Sequence, residues 1–111
     1  MIVGIKCHFD AAHFLPNYPG KCKEMHGHTW TVEVEVEGEA DFLSGMVIDF
    51  KDFKYNIEKV IESLDHSLLN NKVNPPTCEL IASYIKNAIL NTGLKVNKVK
   101  VQEGDGGWAI I

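Results

Sequence analysis

The chain has 111 residues, 45% hydrophobic and 23% charged, with a formal net charge of −4. That length sets a single domain, 1–111, with room for a modest core. The acidic balance excludes a basic nucleic-acid module, and the interspersed charges leave no polybasic patch for a membrane surface.

Residues 2–9 alternate: Val3, Ile5, Cys7 and Phe9 form an apolar face, with Ile2, Gly4, Lys6 and His8 on the other. A half-buried strand is expected, with His8 in solvent. Lys6 breaks the N-terminal apolar run, so neither an export signal nor a span of ~20 apolar residues is expected. The three cysteines, irregularly spaced, make no disulfide framework, which points to a reducing cytoplasm. Cys7 and Cys78 lie in apolar-patterned segments and read as small buried hydrophobes.

Residues 14–25 carry Pro16, Asn17, Pro19 and Gly20 and form a loop. HTWTVEVEVEGE follows. Trp30, Val32, Val34 and Val36 alternate with Thr31, Glu33, Glu35 and Glu37, predicting a long strand with one dry face and one solvated face. Residues 38–46 connect. Asp49 then caps a helix whose stripe is Phe50, Phe53, Ile57, Val60, Ile61 and Leu64. Residues 65–76 are a loop ended by Pro75 and Pro76. Thr77 caps a second helix, with Leu80, Ile81, Tyr84, Ile85, Ala88 and Ile89 as its stripe and Gly93 at C′. Val96, Val99 and Val101 mark a third strand, GDGG (104–107) a turn, and WAII a fourth strand.

The order is strand, strand, helix, helix, strand, strand. It predicts an α+β fold: a four-stranded antiparallel sheet with two helices on one face. A short apolar last strand at a sheet edge invites cover by another subunit, so a homo-oligomer is expected.

GKCKEMHGH (20–28) concentrates ligand and proton-transfer chemistry. On a strand, His26 and His28 point to the same side, with Gly27 leaving room for close backbone approach. His13 ends the preceding strand and faces them across the hairpin. Three imidazoles with an open fourth position make a catalytic zinc pattern. Cys22 could instead close the site as a fourth ligand, giving a non-catalytic zinc-stabilised binding module. Structural zinc usually takes two or more thiolates, so spacing favours the open site.

FDAAH, C-x3-HGH, GMVIDF, LDHSLLN, NPPT-x-E and QEG occur in that order between about residues 9 and 108. In this the chain resembles the 6-pyruvoyl-tetrahydropterin synthase family, and within it the 6-carboxytetrahydropterin synthase branch. The resemblance implies a T-fold, ββααββ, assembling into an oligomeric barrel, usually a hexamer built as a dimer of trimers with active sites between subunits. It implies zinc on His13, His26 and His28, and Cys22 as the catalytic cysteine, with Asp65 and His66 completing a proton relay. Glu103 would anchor the pterin ring and join the relay, and Thr77 would bind substrate. The implied activity converts 7,8-dihydroneopterin triphosphate to 6-carboxy-5,6,7,8-tetrahydropterin in the 7-deazaguanine pathway. Alternatives within the fold are 6-pyruvoyl-tetrahydropterin formation and aldolase-like cleavage of the same substrate class. The aldolase-like variant places a glutamate three residues before HGH. Here that residue is Lys23, and Glu24 lies one step away and reads as a solvated loop residue.

Overall fold

Strict alternation over a dozen residues makes β2 a ribbon with a wet side and a dry side, and this ribbon organises the molecule. A computed structural model describes residues 1–111. The elements are β1 (Ile2–His13), a 3-10 turn (Lys21–Lys23), β2 (His26–Glu37), α1 (Phe50–Glu62), β3 (Ser67–Leu68), a second 3-10 turn (Leu69–Asn71), α2 (Cys78–Leu90), β4 (Lys98–Glu103) and β5 (Trp108–Ile110). The sheet order is β3-β1-β2-β4-β5.

The four expected strands pair antiparallel, and the fold is α+β. The fifth strand, β3, is two residues long and lies parallel to β1 through Ala11↔Ser67 and Ala12↔Leu68. Two residues are too few to leave a periodic signal. β1 continues past the alternating residues 2–9 and ends at His13, as expected, in direct register with His26.

The dry face of β2 is buried as patterned: Trp30, Val32 and Val34 are fully buried and Val36 nearly so. They join Phe9 and Ala11 of β1, Val99 and Val101 of β4, and Phe53, Ile57, Val60, Ile61, Ile81, Ala82, Ile85 and Ile89 of the helices in one core. Both helices therefore cover the same side of the sheet. Each such side chain contributes about 1.5–3 kcal/mol when removed from water. Phe50 and Leu80, expected in the helical stripes, are instead exposed. Both lie in first turns, on the side facing away from the core that Phe53 and Ile81 enter. On the wet face, Glu33 and Glu35 meet Lys100 (3.3 Å) and Lys98 (4.0 Å) across the β2–β4 register.

Helix ends follow sequence chemistry. Asp49 accepts a hydrogen bond from the backbone N–H of Lys51, and Thr77 accepts one from Leu80. α2 ends one residue earlier than expected: Asn91 is the C-cap, and Gly93, one position beyond C′, carries the left-handed φ of 90°. Cys7 and Cys78 are half-buried rather than enclosed; each thiol donates to a carbonyl, of Val32 and Val101 respectively. β5 forms one sheet edge, with Trp108 and Ile110 exposed. No helix is long and apolar enough to cross a membrane.

Candidate metal centre and active site

His13, His26 and His28 converge at the end of the β1–β2 ribbon, each offering a ligand atom, all within 4.8 Å of one another. The register does this. His13 pairs with His26, and His28 pairs with Ala11 two residues back along β1. Trp30 supports the cluster from below, its ring edge-on to His13 (5.0 Å) and to His28 (5.6 Å).

The second nitrogen of two rings fixes the chemistry of the first. His13 Nδ1 lies 2.9 Å from the Pro76 carbonyl, and His26 Nδ1 lies 2.7 Å from the Glu24 carbonyl. A carbonyl only accepts, so each Nδ1 carries the hydrogen. In the neutral rings each Nε2 is then a bare lone pair, yet the two Nε2 atoms are 3.0 Å apart. That contact is a hydrogen bond only if one ring is protonated; otherwise the lone pairs repel unless a cation lies between them. His28 Nε2 is buried with no hydrogen-bond partner. Glu103 Oε1 is 3.3 Å away, but off the line a hydrogen bond requires. Burial pushes His28 below the ordinary histidine value, Glu103 opposes the shift, and His13 and His26 add to it. A buried, unpartnered His28 Nε2 beside two carbonyl-oriented imidazoles is a donor set that fits zinc.

Cys22 is half-buried in the 3-10 turn, and the loop is tied back by the Leu15 N–H donating to the Cys22 carbonyl (2.7 Å). Its thiol is not part of the converging ligand group. Glu24 is exposed, and its contribution to the site is its carbonyl on His26 rather than its carboxylate. Gly27 is not needed for close packing: an added Cβ would meet nothing nearer than the Ala11 carbonyl at 4.0 Å. The expected close approach is absent because Gly27 is exposed beside an open groove.

Glu103, at the end of β4 beside Trp30, reaches the histidines from the opposite side, 3.8 Å from His13 Nε2. Gly104 follows with φ +53°, turning the chain so that a Cβ there would lie 3.6 Å from His28 Nδ1. Thr77 has its hydroxyl engaged as the α2 cap at 3.3 Å. Its neighbour Pro76 orients His13, so the NPPT segment serves the site through the main chain.

Asp65 and His66 lie between α1 and β3, their side chains paired at 2.8 Å (Oδ2 to Nδ1). Hydrogen bonds from the Asp10 backbone and from His66 hold Asp65 below the usual carboxylate range, and Asp65 raises His66. An open groove of about 540 Å³ is lined by Asp10, Ala12, His28, Thr29, His66 and Ser67, among others. His66 and a candidate metal ligand thus share one surface. Asp10 lies inside the FDAAH motif, but its role was not legible there, because its partners are 19 and 55 residues away.

The Asp65–His66 shifts have a sign. The raised His66 contributes stability that is full below its ordinary value of 6.5 and is lost as pH rises through its higher folded value. The lowered Asp65 contributes stability present above 3.8 and lost as pH falls through its lower folded value. Between those limits wild type should melt above a His66→Gln variant. The gap should close as pH rises through the raised folded value of His66, as read by calorimetry.

The fold is a T-fold of the tetrahydropterin synthase class, and it carries a three-histidine cluster that could hold a metal ion. The sequence profile of the family described as 6-pyruvoyl tetrahydropterin synthase matches residues 2–111, and the chain belongs to that family. A protein of Archaeoglobus fulgidus, provisionally named a 6-carboxy-5,6,7,8-tetrahydropterin synthase, is 41% identical, over 100% of this chain and 95% of its own. Dihydroneopterin monophosphate aldolase of Pyrococcus furiosus is 38% identical over 87% of this chain and 84% of its own. The solved structure of Caenorhabditis elegans 6-pyruvoyl tetrahydropterin synthase superposes with a TM-score of 0.87 at 26% identity, covering 100% of this chain and 95% of that one.

Proposed function

We propose that the chain is a zinc-dependent lyase that converts 7,8-dihydroneopterin triphosphate to 6-carboxy-5,6,7,8-tetrahydropterin. The observation that carries this reading is the convergence of His13, His26 and His28 next to Glu103, with the buried Nε2 of His28 left unpartnered. The 41% identity to the Archaeoglobus protein along the whole chain supports this product within the family.

His13, His26 and His28 would hold the metal. Bound zinc supplies Lewis-acid polarisation of the oxygens on the substrate side chain. Cys22, on its loop beside the ribbon end, removes a proton as thiolate. His66, oriented by Asp65, exchanges protons with the substrate hydroxyl near neutral pH. Glu103 is acceptor-only when ionised and pairs with the N–H edge of the aminopyrimidinone ring, with Thr77 as a further substrate contact. The exposed β5 edge supports assembly as a homo-oligomer, a hexamer of two trimers with active sites between subunits, which light scattering would measure.

Incubating zinc-loaded protein with 7,8-dihydroneopterin triphosphate and identifying the product by mass tests the reading. A 6-carboxytetrahydropterin product supports it, and absence of turnover overturns it. A second reading, aldolase-like release of a hydroxymethylpterin, is favoured by the 38% identity to the Pyrococcus aldolase, and the same product measurement separates the two. Glu103→Gln exchanges an acceptor for a mixed donor–acceptor group. It should raise KM roughly 10- to 100-fold, the ~1.5–3 kcal/mol of a charge-assisted hydrogen bond, in steady-state kinetics.

A further inference from the structure

The Asp65–His66 pair is built on a conformation that an L-residue seldom adopts. His66 has φ +56°, in the left-handed region, where a non-glycine side chain is strained. Strain of this kind persists only where surrounding contacts impose it. Here they come from one residue of β1. The His66 N–H donates to the Asp10 carbonyl (2.6 Å), and the Asp10 N–H donates to Asp65 Oδ1 (2.9 Å). Asp65 thus spends one oxygen on the Asp10 backbone and the other on His66 Nδ1. The parallel bridge Ala11↔Ser67 begins immediately after this clamp and fixes the chain beyond it.

Asp10 is itself fixed. Thr29, its cross-strand partner, donates its hydroxyl to Asp10 Oδ1 at 2.5 Å. The Asp10 side chain lines the same groove as Thr29, His28 and His66. The charged and titratable groups facing His66 are Asp65 beside it, Asp10 from β1 and His28 across the groove.

We propose that Asp10 and Thr29 are positioning residues: Thr29 locks the Asp10 carboxylate, and Asp10 clamps the Asp65–His66 pair and aims His66 into the groove it shares with the metal ligands. The clamp's main-chain bonds survive any side chain at position 10. What the carboxylate adds is a second negative charge facing His66, held in place by a hydroxyl that only serine or threonine supplies at position 29. Asp10 also favours the protonated form of His66, in the same sense as Asp65.

That His66 relays protons rests on the proposed function, whereas its positioning can be read without substrate. Wild type, Asp10→Asn, Thr29→Val and Thr29→Ser are near-isosteric full-length proteins. In each, the His66 ring would be titrated by NMR, its resonance assigned with His66→Gln, alongside kcat and KM. The His66 midpoint should move to lower pH in Asp10→Asn, move the same way but less in Thr29→Val, and stay at the wild-type position in Thr29→Ser. Asp10→Asn and Thr29→Val should lower kcat about tenfold with KM nearly unchanged, a fraction of the ~10²–10⁴ that acid–base catalysis provides. An unmoved His66 midpoint in Asp10→Asn overturns the positioning role, as does equal loss in Thr29→Val and Thr29→Ser. A moved midpoint in a protein that turns over no dihydroneopterin triphosphate keeps the positioning role and overturns the functional reading.

Discussion

His26→Ala should strip the protein of zinc and of turnover together, whereas Cys22→Ala should keep the metal and the fold and lose turnover alone. His26 is one of three converging imidazoles, its Nε2 3.0 Å from that of His13. Without it two histidines remain, too few for a tight tetrahedral zinc site. Cys22 is outside that group, so its removal leaves the donor set whole. The expected loss in kcat for Cys22→Ala is about 10³-fold, within the range of an abolished proton-transfer residue. Metal analysis after gel filtration, with circular dichroism and the product assay, reads all three properties. If Cys22→Ala instead emerges metal-free and unfolded, the cysteine closes a structural site and the lyase reading falls.

Trp30→Ala should cost about 3–5 kcal/mol of stability, a large part of what a domain of this size possesses. Trp30 is completely buried in the core between sheet and helices. It stacks on Phe9 with centroids 6.0 Å apart and nearly parallel planes, and its Nε1 donates to the Ala11 carbonyl at 3.3 Å. Its ring edges support His13 and His28. The cavity would therefore open under the three-histidine cluster. Urea denaturation gives the stability loss. In the surviving folded fraction, zinc affinity should drop as well, because the imidazoles lose the wall that orients them. Trp30→Phe retains a ring but not the donor, and should fall between the two. Full stability in Trp30→Ala would show that the core does not depend on this contact.

What could be read from the sequence was what repeats or sits close together. The alternation of β2, the two helical stripes and the Asp49 and Thr77 caps each show a pattern within a dozen residues. The three-histidine cluster was legible too, since the ribbon that carries His26 and His28 brings back His13 by its own pairing. What stayed hidden depends on distant main chain. Nothing local indicates that the Pro76 and Glu24 carbonyls set the ring tautomers, or that β3 exists. The same holds for the Asp10 clamp on Asp65 and His66. Gly27 shows the reverse: a motif glycine invited a packing explanation that the space around it does not require.

The two half-buried thiols have a practical consequence for anyone modifying the protein chemically. Burial, with help from Glu58, pushes Cys7 up to about 11, and burial likewise raises Cys78. At neutral pH both stay protonated, and a protonated thiol alkylates slowly. An iodoacetamide-type reagent at pH 7 should therefore mark Cys22 first, with peptide mass mapping as the readout. A fluorophore placed there would report on the environment of the residue 14–25 loop without a cysteine-free background having to be made.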